Sequence, residues 1–130
     1  MIYLEKAIRS LTDNKVDFVI VGGVAINLHS SGYITSDLDI CYSRSKENIR
    51  RLTAALAPFE PWPRGLSREL PFFFDESALR NGTKFNFETS IGDIDLLGEV
   101  KGLGDFSSLV DRTVIYEIYD SEVKLWISPV

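Results

Sequence analysis

Val16-Asp17-Phe18-Val19-Ile20-Val21-Gly22-Gly23, followed after thirteen further residues by Asp37-Leu38-Asp39-Ile40-Cys41-Tyr42, is the stretch on which the reading of this chain turns. The first part is a β-branched and aromatic run suited to a buried strand, and it ends at Gly22-Gly23. A helix is expected from about Gly23 to His29, with Gly32 as its left-handed stop. A strand that turns through glycines into a helix exposes backbone N–H groups at the helix start, a natural cradle for phosphate. A lone Gly-Gly more often marks a tight turn that binds nothing. Asp37–Tyr42 alternates in character and reads as the second strand.

Asp37 and Asp39 form an Asp-x-Asp pair, and Asp93-Ile94-Asp95 is a second one. Side chains two apart on a strand share a face and lie roughly 6.5–7 Å apart at the backbone, so both carboxylates can reach one hard cation. Either pair alone is explained by a solvated strand face. Leu38 and Ile40 in one case, and Ile94 and Leu96 in the other, are apolar alternates that fix each strand on a core. The four carboxylates then project from the opposite face, together if the strands are neighbours. Carboxylates, Mg²⁺ and substrate phosphates are the usual components of in-line phosphoryl displacement.

Outward from these strands, Leu4, Ala7, Ile8 and Leu11 give a helix over residues 1–13. Ser45 is placed as the cap of a helix whose apolar stripe is Ile49, Leu52, Ala55 and Leu56. Pro58, Pro61, Pro63 and Pro71 make residues 58–71 a loop or lid. A short strand is expected at Phe72-Phe73-Phe74, a helical turn near Ser77–Arg80, strands at Lys84–Thr89 and around Ile94–Leu97, and a hairpin of Val114–Tyr119 with Val123–Ile127. Early helices and late strands predict a single α/β (α+β) domain over 1–130, a mixed β-sheet flanked by helices.

Composition is that of one compact domain: 130 residues, 45% hydrophobic and 25% charged. The net charge of -5 disfavours a nucleic-acid-binding module that works by phosphate neutralisation, unless bound cations invert the local field. The single cysteine, Cys41, forms no internal disulfide and no multi-cysteine zinc site, and it reads as a small buried residue. No apolar run reaches the roughly 20 residues of a membrane span, and Met1–Lys6 does not resemble a signal peptide, so a cytoplasmic protein is expected. His29 reads as a local hydrogen-bonding residue, and Trp62 with Phe72–Phe74 as core or lid packing. Arg80, Lys84, Ser31, Ser36 and Ser43 are minor candidates for phosphate contact.

Taken as a set, Gly22-Gly23, Asp37-Leu38-Asp39-Ile40 and the apolar-flanked Asp95 resemble the signature of the polymerase-β-like nucleotidyltransferase superfamily. Val19–Ala25, Thr35–Asp39 and Gly92–Gly98 are most similar to the bacterial branch containing abortive-infection toxins and small nucleotidyltransferases. The resemblance implies a nucleotidyltransferase-type fold and a Mg²⁺- or Mn²⁺-dependent transfer of a nucleoside monophosphate from an NTP to a hydroxyl, with release of pyrophosphate. Asp37, Asp39 and Asp95 would be the catalytic carboxylates and metal ligands. Gly22, Gly23, Ser36, Arg44 and Lys84 would contact the nucleotide. The acceptor is open between tRNA, a protein and a small molecule, and a toxin–antitoxin pairing is implied. The chain departs from the branch at Ile34, where an Arg is common, and in lacking a C-terminal helical region beyond Val130. Arg44 could replace the missing charge. The departures motivate an alternative: an inactive protein of this fold that binds nucleotide or a partner protein. Val123, Leu125 and Ile127 on one face of the last strand and Trp126 on the other predict self-association, so a homodimer is expected, with a partner protein as the alternative.

Overall fold

The computed structural model describes residues 2–22, 25 and 37–126. Of the expected helix at 23–29 only Ala25, which is buried, is described, and Gly23, His29, Ser31, Gly32, Ile34 and Ser36 lie outside the described residues.

Helix α1 (Leu4–Asp13) forms because Leu4, Ala7, Ile8 and Leu11 fall on one stripe, and all four are buried. Strand β1 (Phe18–Val21) is buried on both faces, as its unbroken apolar run requires. Strand β2 (Asp37–Tyr42) pairs with it antiparallel, Val21 opposite Asp39 and Phe18 opposite Tyr42. Helix α2 (Lys46–Leu56) starts where expected, with Ser45 Oγ accepting from the Asn48 N–H at 3.2 Å. Among the described residues Asn48 is the buried polar one, and its amide is fully used. Its Oδ1 accepts from Asp17 N–H at 2.7 Å, while Nδ2 donates to the carbonyls of Asp17 at 3.0 Å and Ser43 at 2.7 Å. One side chain thus ties the start of β1 and the end of β2 to α2. Ser10 of α1 donates to the Ala55 carbonyl at 2.6 Å, which joins the two long helices.

Short strand β3 (Trp62–Pro63) and short helix α3 (Glu76–Arg80), capped by Asp75, precede β4 (Lys84–Thr89) and β5 (Gly92–Leu97). A two-stranded ribbon, β6 (Glu99–Val100) with β7 (Gly104–Asp105), leads to α4 (Phe106–Leu109). Strands β8 (Val114–Ile118) and β9 (Ser121–Leu125) form the terminal hairpin. Its turn residues Tyr119 and Asp120 both have positive φ, 51° and 60°. The seven-stranded mixed sheet runs β3-β4-β5-β2-β1-β9-β8, with β2 parallel to β5 and β1 parallel to β9. The expected mixed-sheet α+β class is borne out.

Alternation along these strands divides the sheet. Phe18, Ile20, Leu38, Ile40, Tyr42, Ile94 and Leu96 join the main core with α1 and α2. Val19, Val21 and Cys41 face the other way, into a smaller cluster under Leu109, with Leu97, Phe106 and Trp126 against it. Among the described residues this second face carries the smaller cluster and also the acidic residues.

The expected strand at Phe72-Phe73-Phe74 is not formed. Phe72 packs edge-on against Trp62 at 5.5 Å and beside Phe87 at 6.0 Å, and Phe74 meets Phe87 at 5.4 Å. Phe73 is 77% exposed. Three consecutive aromatics held by side-chain contacts rather than by a strand partner give an irregular strap. The Pro-rich stretch before it is irregular as expected, apart from a 3-10 turn at Ala57–Phe59 and β3.

Candidate metal and nucleotide site

Parallel pairing of β2 with β5 sets Asp37 opposite Asp93 and Asp39 opposite Asp95. Because side chains alternate, all four carboxylates leave the sheet on the face away from the main core. Asp37, Asp39 and Asp95 each offer a ligand oxygen, and the three oxygens lie within 4.8 Å of one another. A Mg²⁺ with ligands at 2.0–2.1 Å tolerates oxygen–oxygen separations up to about 4.2 Å, so small side-chain rotations bring the set onto one ion. The donors are hard anionic oxygens, as Mg²⁺ or Mn²⁺ requires.

Asp39 is the strained member. Its Oδ1 is buried with no hydrogen-bond partner among the described residues. Burial, then the adjoining Asp95 carboxyl, then the charges of Asp95 and Asp37 push its pKa from 3.8 up to about 7, with Arg64 pulling the other way. A cation would relieve both the crowding and the unpaired oxygen. The residues present therefore fit a divalent metal.

Gly22 closes the site from β1. Its φ is +73°, and a Cβ there would stand 2.5 Å from Asp39 Oδ2. Any side chain would be strained and would also push on the carboxylate, so the backbone reaches Asp39 because the residue is glycine.

Arg64 completes the group and was not foreseen. It follows Pro63 and its backbone N–H donates to the Asn86 carbonyl at 2.8 Å. Its guanidinium spans two carboxylates, with Nη1 3.0 Å from Asp93 Oδ2 and Nη2 on Asp95 Oδ1. Nothing in the spacing of residues 58–71 announces this. The one signal is an arginine set between Pro63 and Gly65, where a turn aims a side chain back over a sheet.

Other expected contacts are spread more widely. Arg44 stands at the opposite end of β2 from Asp37, with Nη2 donating to the Arg80 carbonyl at 2.9 Å. It packs over Gly98, where a Cβ would meet its Cδ at 2.6 Å. Arg44 lines a separate cleft of about 250 Å³ with Tyr42, Ser43, Thr83, Gly98 and Asp105. The structure does not bring it to the carboxylates. Lys84 is exposed on β4 opposite Leu97, on the acidic face but one alternation beyond Asn86, which sits opposite Asp95. Cys41 is fully buried as expected, on the acidic face, and this burial raises its thiol pKa to about 11.

Comparison with known proteins adds one finding. A solved structure of a candidate nucleotidyltransferase from Thermotoga maritima superposes with a TM-score of 0.58 at 15% identity, covering 97% of this chain and 80% of that one. The fold is of the nucleotidyltransferase type. No protein-family model matches the sequence, and no curated protein matches it. No helix among the described residues is long and apolar enough to cross a membrane.

Proposed function

We propose that this nucleotidyltransferase-fold protein is a divalent-metal-dependent enzyme that moves a nucleoside monophosphate from an NTP to a hydroxyl. The observation that carries the reading is the convergence of Asp37, Asp39 and Asp95 from two adjacent parallel strands, with three ligand oxygens within 4.8 Å. Asp37 and Asp39 would hold Mg²⁺ or Mn²⁺ together with the triphosphate. Gly22 and Gly23, with Ser36 and Lys84, would contact phosphate oxygens. The acceptor oxygen attacks the α-phosphorus as the bond to the β-phosphate breaks, pyrophosphate leaves, and the hydroxyl proton passes to the Asp95 carboxylate. When bound, the divalent cation offsets the charge that develops on the phosphates. Membership of the abortive-infection branch and a role in a toxin–antitoxin pair belong to this proposal and rest on the motif residues; a cytoplasmic setting belongs to it too and rests on the composition and the character of the N-terminal residues. The acceptor class, whether tRNA, protein or small molecule, is left to the assay.

The test is turnover of labelled NTPs with Mg²⁺ or Mn²⁺, using cell extract as the acceptor source. Pyrophosphate release with label transferred to an acceptor is expected. One observation favours a second reading: Arg64 already occupies an oxygen of Asp95, the proposed base. A protein of this fold that binds nucleotide or a partner without transfer would show nucleotide binding and no pyrophosphate.

A further inference from the structure

We propose that Arg64 is a positioning residue that changes partners: in the free protein it stands in for a cation at Asp95, and it moves to the phosphate chain when metal-bound nucleotide arrives. This rests on the nucleotidyltransferase reading above. Three features of the structure carry it. The guanidinium engages Asp95, one of the three clustered carboxylates, so it and a divalent ion draw on the same negative charge. Its second anchor is Asp93, which lies outside the cluster and can hold or release the side chain without touching the metal ligands. Its backbone is fixed, with the N–H on Asn86 and the preceding Pro63 paired with Phe87, so a change of partner needs side-chain rotation alone. A planar guanidinium binds phosphate oxygens in the same two-pronged way as it binds carboxylates, and a triphosphate delivered to Asp37 and Asp39 arrives beside it. Arg68, in the same segment, is engaged elsewhere. It pairs with Glu88 at 2.7 Å and lies 4.7 Å over the Trp62 ring, so it serves as the internal control.

The experiment titrates Mn²⁺ into the full chain by the loss of the free-ion paramagnetic resonance signal, first alone and then with inorganic tripolyphosphate, which carries no base. Arg64→Gln should bind Mn²⁺ alone roughly 1.5- to fivefold more tightly than wild type, the range expected for removing a competing, partly exposed ion pair. The same variant should bind Mn²⁺–tripolyphosphate roughly tenfold more weakly, because a two-pronged phosphate contact is lost. Arg64→Lys keeps the charge without the fork, so it should stay near wild type for Mn²⁺ alone and weaken the triphosphate. Arg68→Gln should leave both affinities unchanged. Mn²⁺ binding that depends on Asp39 but is unchanged or weakened by Arg64→Gln overturns this inference alone. Absence of any Asp39-dependent Mn²⁺ binding in wild type and in Arg64→Gln overturns the metal reading and this one with it.

Discussion

At the scale of single residues the site is defined by crowding. Asp39 keeps its proton to about pH 7 in the folded chain against 3.8 ordinarily, so the folded state binds more protons than the unfolded one in between. The stabilisation from this group is full below about pH 3.8, declines as the pH rises towards 7, and is gone above it. The metal-free melting temperature of wild type should fall across that window relative to Asp39→Asn, and Mn²⁺ affinity should rise across it. A scan of both proteins from pH 4 to 8 checks the sign; parallel curves would remove the shifted carboxyl. Asp37→Asn and Asp39→Asn should each weaken Mn²⁺ binding strongly without unfolding the chain, as calorimetric titration would read. Gly22→Ala acts from the other side. The positive φ costs roughly 1–2 kcal/mol for a residue with a Cβ, and the contact with Asp39 adds to it. Both stability and Mn²⁺ affinity should drop, and a variant with unaltered metal binding would show that Asp39 can move freely.

Among the elements, β5 and α2 carry the sharpest tests. Asp93 and Asp95 share a face of β5, but only Asp95 joins the three-oxygen cluster, whereas Asp93 holds Arg64. Asp95→Asn should abolish transfer while NTP binding persists on Asp37 and Asp39; Asp93→Asn should keep most activity, and reversed phenotypes would contradict the register of β5 against β2. For α2, Asn48→Ala removes three part-buried hydrogen bonds and takes the partner from the Asp17 N–H and the Ser43 carbonyl, at a cost of about 2–4 kcal/mol, which a denaturant titration measures. These elements also show what was legible in the sequence. Leu38 and Ile40, and Ile94 and Leu96, announced both inner strands because period-two alternation is a local property. Ser45 announced its helix because a cap acts within four residues. Arg64 and the Phe72–Phe74 strap could not be read that way. Their conformations are set by contacts with β4 and β5, more than ten residues distant along the chain, and a run of prolines and aromatics has no period that reveals such partners.

For the whole molecule, the two edges of the sheet differ. β3 is two residues long and contains Pro63, which limits pairing with another chain. β8 is five residues long, closes the other edge among the described residues, and exposes Val114 and Ile115, the latter at 61%. Edges without proline or lysine invite pairing. Light scattering should show association that grows with concentration and is suppressed by Ile115→Lys; a strict monomer at all concentrations would count against it.

The strap over β4 has one more consequence. Trp62 lies two residues before Arg64, edge-on to Phe72 and beneath the Arg68 guanidinium at 4.7 Å. An indole so placed is a built-in optical probe, since its emission responds to a nearby cation and to the water that reaches it. Rotation of Arg64 away from Asp93 and Asp95 would alter the field at that ring, so a shift in intrinsic fluorescence on adding Mn²⁺ and triphosphate would time the exchange of partners in the unlabelled protein. With Trp126 replaced by Phe, the signal would come from Trp62 alone.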